Sequence, residues 1–333
     1  MVKHVVLQGW FGMNNLGDDL LLHVTLSYLL QTNLDIRVSV IGEGAYRPSF
    51  LRQDIRYIPR ESRKWGWLRK RWLKSGCDWV LCGGSVLADE VLDRFIEPAQ
   101  LVRKHGGSVF FHALGLRHDL THGKPLQTLM GLVNRCSMRE AHGHQILSRY
   151  MTVDLVGDPV FAIQHKPPVC ENRLLIALRG EDVSLENTKQ LVAWLRDTEQ
   201  PLQGVDILVC FADQDLEASI VLQKALQGMD VRLLDNIDLD AKVMAILQAK
   251  RVLTMRLHPA IIALSEGVVP WVLAGEHKQQ MLMKDMDKEA FLCDWDTLPQ
   301  WQEEAQNIDA ALVKAQGQKG LILLEKWVGD HAH

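Results

Sequence analysis

The chain predicts an α/β protein made of two Rossmann-like domains with parallel sheets, and three observations carry that prediction. Its 333 residues exceed one ordinary core and suit two domains. Short β-branched or aromatic runs at residues 4–8, 36–41, 79–82, 109–112 and 152–156 alternate with longer helical patterns, the rhythm of βα units feeding a parallel sheet. The same rhythm restarts at 174–178, 206–209, 231–234, 252–255 and 269–273, with helices such as 185–196 and 240–249 between. Residues 1–165 therefore read as an N-terminal domain and 173–297 as a C-terminal one. The polar, proline-rich stretch at 166–172 reads as their linker, and 298–333 as terminal helices. Two such halves place a ligand cleft between them, at the carboxyl ends of the strands.

Composition narrows the function. A hydrophobic content of 47% with 23% charged residues excludes a disordered or membrane-spanning chain. Lys and Arg number 37 against 41 Asp and Glu, a net charge of −4, so no global field recruits nucleic acid. The opening "MVKHVVL" runs straight into a strand pattern and lacks the apolar core and cleavage site of a signal peptide, so a cytoplasmic location is expected. Six cysteines are scattered without a CxxC pair and read as reduced, mostly buried thiols. No GxGxxG opens a helix after a strand, and neither a GxxxxGK[ST] loop nor an HExxH helix occurs. No cofactor and no metal are expected.

Three strand-end segments could carry chemistry. "GWFGMNNLGDDLLL", residues 9–22, follows the first strand. Its glycines permit a tight turn, Asn14 and Asn15 tolerate unusual backbone angles, and Asp18 can cap the helix behind it. A turn plus cap explains the glycines and Asp18, whereas the length and polarity of the loop suit a ligand contact. "CGGSVLADE", residues 82–90, follows another apolar strand; Gly83 and Gly84 let backbone N–H groups approach a ligand and Ser85 adds a hydroxyl, or the pair merely starts a helix. In "TMRLHPAIIALSEGVVPW", residues 254–271, strand alternation sends Arg256 and His258 to one side, and Pro259 suits the first helical position. Two cations at a positive helix end require a compensating anion, so the pair is inferred to hold one. Lys278 and Arg179, each just beyond a strand, join the same set of cations.

Together these motifs resemble the polysaccharide pyruvyl transferase family. The "N-x-GD" loop of that family is matched by Asn14, Asn15, Gly17 and Asp18. Its "GGGS-x-L-x-D" loop is matched from Cys82 to Asp89, and its "RD-x-x-S-x-x-x-L" element in part by Arg139, Glu140 and Leu147. A strand-end "LR" is matched by Leu178 and Arg179, and "RLH" ahead of "AL-x-x-GVP" and a lysine by Arg256, Leu257, His258, Ala263, Leu264, Gly267, Pro270 and Lys278. The resemblance spans roughly residues 5–285, in the family's order. Cys82 stands for a glycine, Glu140 for an aspartate and Gly143 for a serine, and the tyrosine ahead of the lysine is absent. The resemblance implies a GT-B-like fold and transfer of a pyruvyl group from phosphoenolpyruvate to two hydroxyls of one sugar, giving a cyclic ketal and phosphate.

On that reading His258 is the candidate general acid, and Arg256, Lys278, Arg179 and Arg139 hold the donor's carboxylate and phosphate. Asp18 or Asp19 accepts a sugar proton, while Asn14, Asn15, Asp19, Gly83, Gly84 and Ser85 face the acceptor. A nucleotide-sugar glycosyltransferase on the same architecture and a non-catalytic carbohydrate-binding protein are the alternatives. One further segment stands out. "RESRKWGWLRKRWLK", residues 60–74, is strongly basic and tryptophan-rich. As a helix it would turn Trp65, Leu68 and Trp72 to one face, either to cover the sheet or to meet an anionic membrane that carries a lipid-linked oligosaccharide acceptor.

Overall fold

Apolar runs that end in polar turns become strands covered on both faces, as parallel sheets require. In the computed structural model, residues 2–117, 120, 123–165, 169–197, 202–273, 275–298 and 308–330 are described. They divide into two units, Met1–Ala162 with Ala315–His333, and Ile163–Lys314.

The first unit runs β1 (Lys3–Gly9), α1 (Leu16–Gln31), β2 (Ile36–Gly42), β3 (Arg56–Pro59), α2 (Gly66–Leu73), β4 (Asp78–Cys82), α3 (Asp93–Lys104), β5 (Ser108–Leu114), α4 (Lys124–Met130), β6 (Arg135–Met138), α5 (Ala141–Leu147) and β7 (Val153–Leu155). Its seven strands pair in parallel in the order β3-β2-β1-β4-β5-β6-β7. On one face Trp79, Leu81, Val109 and Phe111 pack with Trp72, Phe95 and Leu126. On the other, Val5, Leu7, Val80 and Phe110 pack with Leu22 and Leu29.

The second unit runs β8 (Glu171–Ala177), α6 (Leu185–Asp197), β9 (Gly204–Leu208), α7 (Ala212–Ala225), β10 (Val231–Leu234), α8 (Leu239–Gln248), β11 (Ala249–Thr254), α9 (Leu257–Ser265), β12 (Trp271–Leu273), α10 (His277–Asp285) and β13 (Leu292–Cys293). Its six strands are again parallel, in the order β10-β9-β8-β11-β12-β13. The last helix, α11 (Ala310–Asp330), belongs to the first unit from residue 315 onward.

All ten anticipated strands are present, and β3, β6 and β13 are additional: they are short and carry too little alternation to be read from sequence. Of the expected linker, residues 166–168 lie outside the described residues, and β8 begins at Glu171 within its remainder. The C-terminal segment is likewise no separate body. Residues 299–307 lie outside the described residues, whereas Leu324, Trp327 and Val328 of α11 are buried in the core beneath β1, β4 and β5.

Candidate active site

In each sheet the chain works outward in one direction and then restarts beside its first strand. The reversal lies between β1 and β4 in the first unit and between β8 and β11 in the second. Loops leaving such a pair diverge to opposite faces, which opens a crevice at the carboxyl edge. The segments singled out in the sequence fall at these two reversal points.

In the first unit Asn15, rather than Asp18, caps α1: its side-chain oxygen accepts from the Gly17 N–H at 3.0 Å. Asp19 is buried and accepts from the Gly12 N–H at 3.1 Å, so its carboxylate is spent on the loop's own shape. Asn14 is exposed with φ of 55°, the left-handed conformation that asparagine tolerates. That leaves Asp18, half-buried, as the carboxylate that reaches the neighbouring loop. A Cβ on Gly84 would lie 3.0 Å from its Oδ1. Gly83 and Gly84 have φ of 57° and 70°, and a Cβ on Gly83 would collide with Leu21 at 2.6 Å, so the double glycine is required by backbone and space alike.

Ser85 follows, and Arg139 joins it from the end of β6. The Arg139 guanidinium donates to Asp158 at 2.6 Å, with both side chains nearly enclosed, and lies 3.5 Å from the Ser85 hydroxyl. Arg139 thus belongs to the first unit and anchors the Ser85 loop, while the other four donor candidates belong to the second. Two departures from the family pattern meet close by. Glu140 Oε1 accepts from the Leu116 N–H at 2.6 Å and lies 3.3 Å from where a Cβ on Gly143 would stand, and Met138 would approach that Cβ to 2.4 Å. The longer acid and the missing side chain therefore compensate each other.

In the second unit β11 stops at Thr254, so strand alternation does not extend to Arg256 and His258. Arg256 is instead the N-cap of α9, His258 sits in its first turn and Pro259 follows at the third helical position, where a missing N–H costs no intrahelical bond. Thr254 holds the cap: its hydroxyl accepts from the Arg256 N–H at 2.8 Å and donates to the Arg256 carbonyl at 2.9 Å.

The charge that compensates Arg256 comes from the protein itself. Asp215, in the first turn of α7 and fully buried, pairs with Arg256 Nη2, which also donates to Gln214 at 2.9 Å. The other carboxylate oxygen accepts from the Phe211 N–H at 2.9 Å. Sequence reading missed Asp215, because an acid in the first turn of a helix is also what the helix dipole alone would favour.

Arg179 and Lys278 meet at the same edge. Arg179 follows β8, contacts Glu181 and Asp182, and pairs with Glu276; Lys278 reaches Glu276 at 2.8 Å. These groups are more exposed than the Asp215–Arg256 pair, in which the carboxylate is fully buried. The structure therefore gathers Arg256, His258, Arg179 and Lys278 on the carboxyl ends of β8, β11 and β12, one cation paired with a buried carboxylate and two with a part-exposed one. Beside them, a groove of about 450 Å³ between residues 180–188 and α7 is lined by Glu181, Asp213 and Glu217 and by no Lys or Arg. It suits neutral hydroxyl groups better than a diphosphate.

Four of the six cysteines are buried, while Cys170 is exposed and Cys293 intermediate. Cys82, at the glycine position of the family loop, is enclosed, and burial pushes its thiol well above the usual range, so it packs and does not react.

Comparison with known proteins agrees with this layout. The family model described as polysaccharide pyruvyl transferase matches residues 15–277. No curated protein matches the chain by sequence. Among solved structures, a UDP-GlcNAc 2-epimerase from Methanocaldococcus jannaschii superposes with a TM-score of 0.62 at 11% identity, covering 98% of this chain and 99% of that one. The apo form of the lipopolysaccharide outer core galactosyltransferase WaaB gives 0.53 at 12% identity, with 99% of each chain covered. A putative UDP-N-acetylglucosamine 2-epimerase from Listeria monocytogenes gives 0.58 at 10% identity, covering 100% of this chain and 91% of that one. At such identities the likeness concerns the fold, which is GT-B-like.

Proposed function

Since the chain belongs to the polysaccharide pyruvyl transferase family and is thereby a transferase of polysaccharide biosynthesis, we propose that its donor is phosphoenolpyruvate and its product a cyclic ketal. The pyruvyl group would pass to two hydroxyls of one sugar in an exopolysaccharide or cell-wall polymer precursor, with release of phosphate. The observation that carries this reading is the gathering of Arg256, Arg179 and Lys278 at the reversal point of the second sheet.

The donor carries a carboxylate and a phosphate on the same carbon. Glu276 occupies Arg179 and Lys278 through part-exposed contacts, and such pairs contribute little, ~1 kcal/mol or less. A multiply charged donor replaces Glu276 at small cost and recruits both cations. Asp215 stays in place, because its carboxylate is fully buried and holds the Arg256 fork against the start of α9. The helix end adds a positive potential toward the same anion.

Ketal formation then needs a proton on the methylene carbon, attack of one hydroxyl on the resulting cationic carbon with loss of its proton, departure of phosphate with a proton, and attack of the second hydroxyl, whose proton restores the acid that supplied the first. His258 supplies the first proton, and Arg256, Lys278 and Arg179 neutralise the donor's charge in the role a metal has elsewhere. In the first unit Asp18 takes a proton from the attacking sugar hydroxyl, with Asn14 and Ser85 as acceptor contacts. Arg139, tied to Asp158, orders the Ser85 loop.

Calorimetric titration of phosphoenolpyruvate into wild type and Arg256→Ala tests the reading, with circular dichroism as the check on folding. Binding to wild type that is lost in the variant is the expected result. Heat from a nucleotide sugar and none from phosphoenolpyruvate would instead favour glycosyl transfer.

A further inference from the structure

The basic, tryptophan-rich segment takes no part in the site above. Its chain forms a single 3₁₀ turn at Arg63–Trp65 and then α2. The turn breaks the helical spacing, so Trp65 does not share a face with Leu68 and Trp72 as expected. Trp72 and Leu73 point into the core and Leu68 packs on its margin, whereas Trp65 is 39% and Trp67 60% exposed. The inward face is therefore satisfied without two large indole rings. These stand in solvent among Arg63, Lys64, Lys70, Arg71 and Lys74, all exposed, with Lys64 Nζ 5.2 Å from the Trp65 ring centroid.

Beside this face is a pocket of about 100 Å³ lined by Arg60, Arg69, Lys70 and Arg94, with Glu97 as its one acid. Arg60 is paired with Glu43 and Glu61. Arg69, Lys70 and Arg94 have no carboxylate partner among the described residues. Four cations gathered at one pocket against one lining acid raise its affinity for anions, and the volume suits one phosphate group.

We propose that residues 60–74 with Arg94 form a docking surface for an anionic lipid bilayer, with Trp65 and Trp67 entering the interfacial layer and a lipid phosphate seated against Arg69, Lys70 and Arg94. A soluble phosphate would account for the pocket but not for two exposed indoles next to it; a bilayer interface accounts for both, since indole rings partition there and basic side chains pair with acidic headgroups. The net charge of −4 makes this concentration of cations a local feature and not a property of the whole surface. Among the described residues no helix is long and apolar enough to cross a membrane, so the contact is peripheral. It stands independently of the transferase reading, because the test needs neither donor nor acceptor.

Co-sedimentation of the full chain with phosphatidylcholine vesicles, with and without phosphatidylglycerol, reads it directly. Wild type sediments with the anionic vesicles only. The exposed triple substitution Lys70→Glu, Arg71→Glu, Lys74→Glu weakens binding by roughly 100-fold or more, and Trp65→Ala with Trp67→Ala weakens it with the charges intact, both variants keeping wild-type circular dichroism. Equal binding to neutral vesicles, or anionic binding unmoved by the triple substitution, overturns the proposal. So does titratable binding of inorganic phosphate without any sedimentation, which would assign the pocket to a soluble anion.

Discussion

A guanidinium and a carboxylate that are buried together cost desolvation to form and more to break, since removing one strands the other. Asp215 is fully buried and its partner Arg256 half-buried, so the pair comes close to that case, and its use is positional: the carboxylate bonds to the α7 turn and aims the guanidinium across the start of α9. Sequence reading found the two cations and inferred an anion beside them, but proximity between residues 215 and 256 is set by the order of β9, β8 and β11, which no local pattern encodes. His258 is half-buried and lies in the first turn of α9, just past the Arg256 cap. His258→Ala should therefore fold normally and lower turnover ~10²-fold or more in a phosphate-release assay. Near-normal turnover would remove it from the mechanism.

At the scale of elements, α11 is the piece that sequence reading left unplaced. Its apolar residues mark a helix, yet a helix pattern says nothing of which sheet it covers. In the structure Leu324, Trp327 and Val328 close the face of β1, β4 and β5, Phe110 and Trp327 rings lie 5.0 Å apart, and the Gly157 N–H donates to the Gln316 carbonyl at 2.9 Å. The first unit is thus completed by the C-terminal part of α11. Trp327 is 2% exposed, so Trp327→Ala removes a large ring from a packed core, a loss of about 3–5 kcal/mol. Hydrogen exchange should show faster exchange of β1 and β5 amides in that variant while β8 and β11 keep their protection. Uniform loss over both sheets, or none, would contradict this assignment.

For the whole molecule, alternating apolar runs were enough to read two parallel α/β units, because covering both faces of a sheet leaves its mark on every strand. The edges β3 and β13 and the return of α11 were not legible, since each depends on contacts distant in sequence. Two histidines of the first unit extend that dependence to pH. His4 lies at the start of β1 between Ser39 and Ser75, and burial, with Arg37 and Arg56 nearby, lowers it to about 4. His112, in β5, is also lowered to about 4 by burial, which outweighs the opposing pull of Asp158. Neither His112 ring nitrogen has a hydrogen-bond partner among the described residues. Both are neutral when folded, while the unfolded chain binds a proton near pH 6.5. Between those values the unfolded state carries more protons, so stability rises with pH there and is lost as pH falls from ~6.5 toward ~4. Each group accounts for up to ~3 kcal/mol of that loss. Urea unfolding at neutral pH and near pH 4.5 should show the decline, and His112→Gln should shrink the difference between the two pH values even if it lowers stability at both. An unchanged difference in His4→Gln with His112→Gln would assign acid sensitivity to the carboxylates instead.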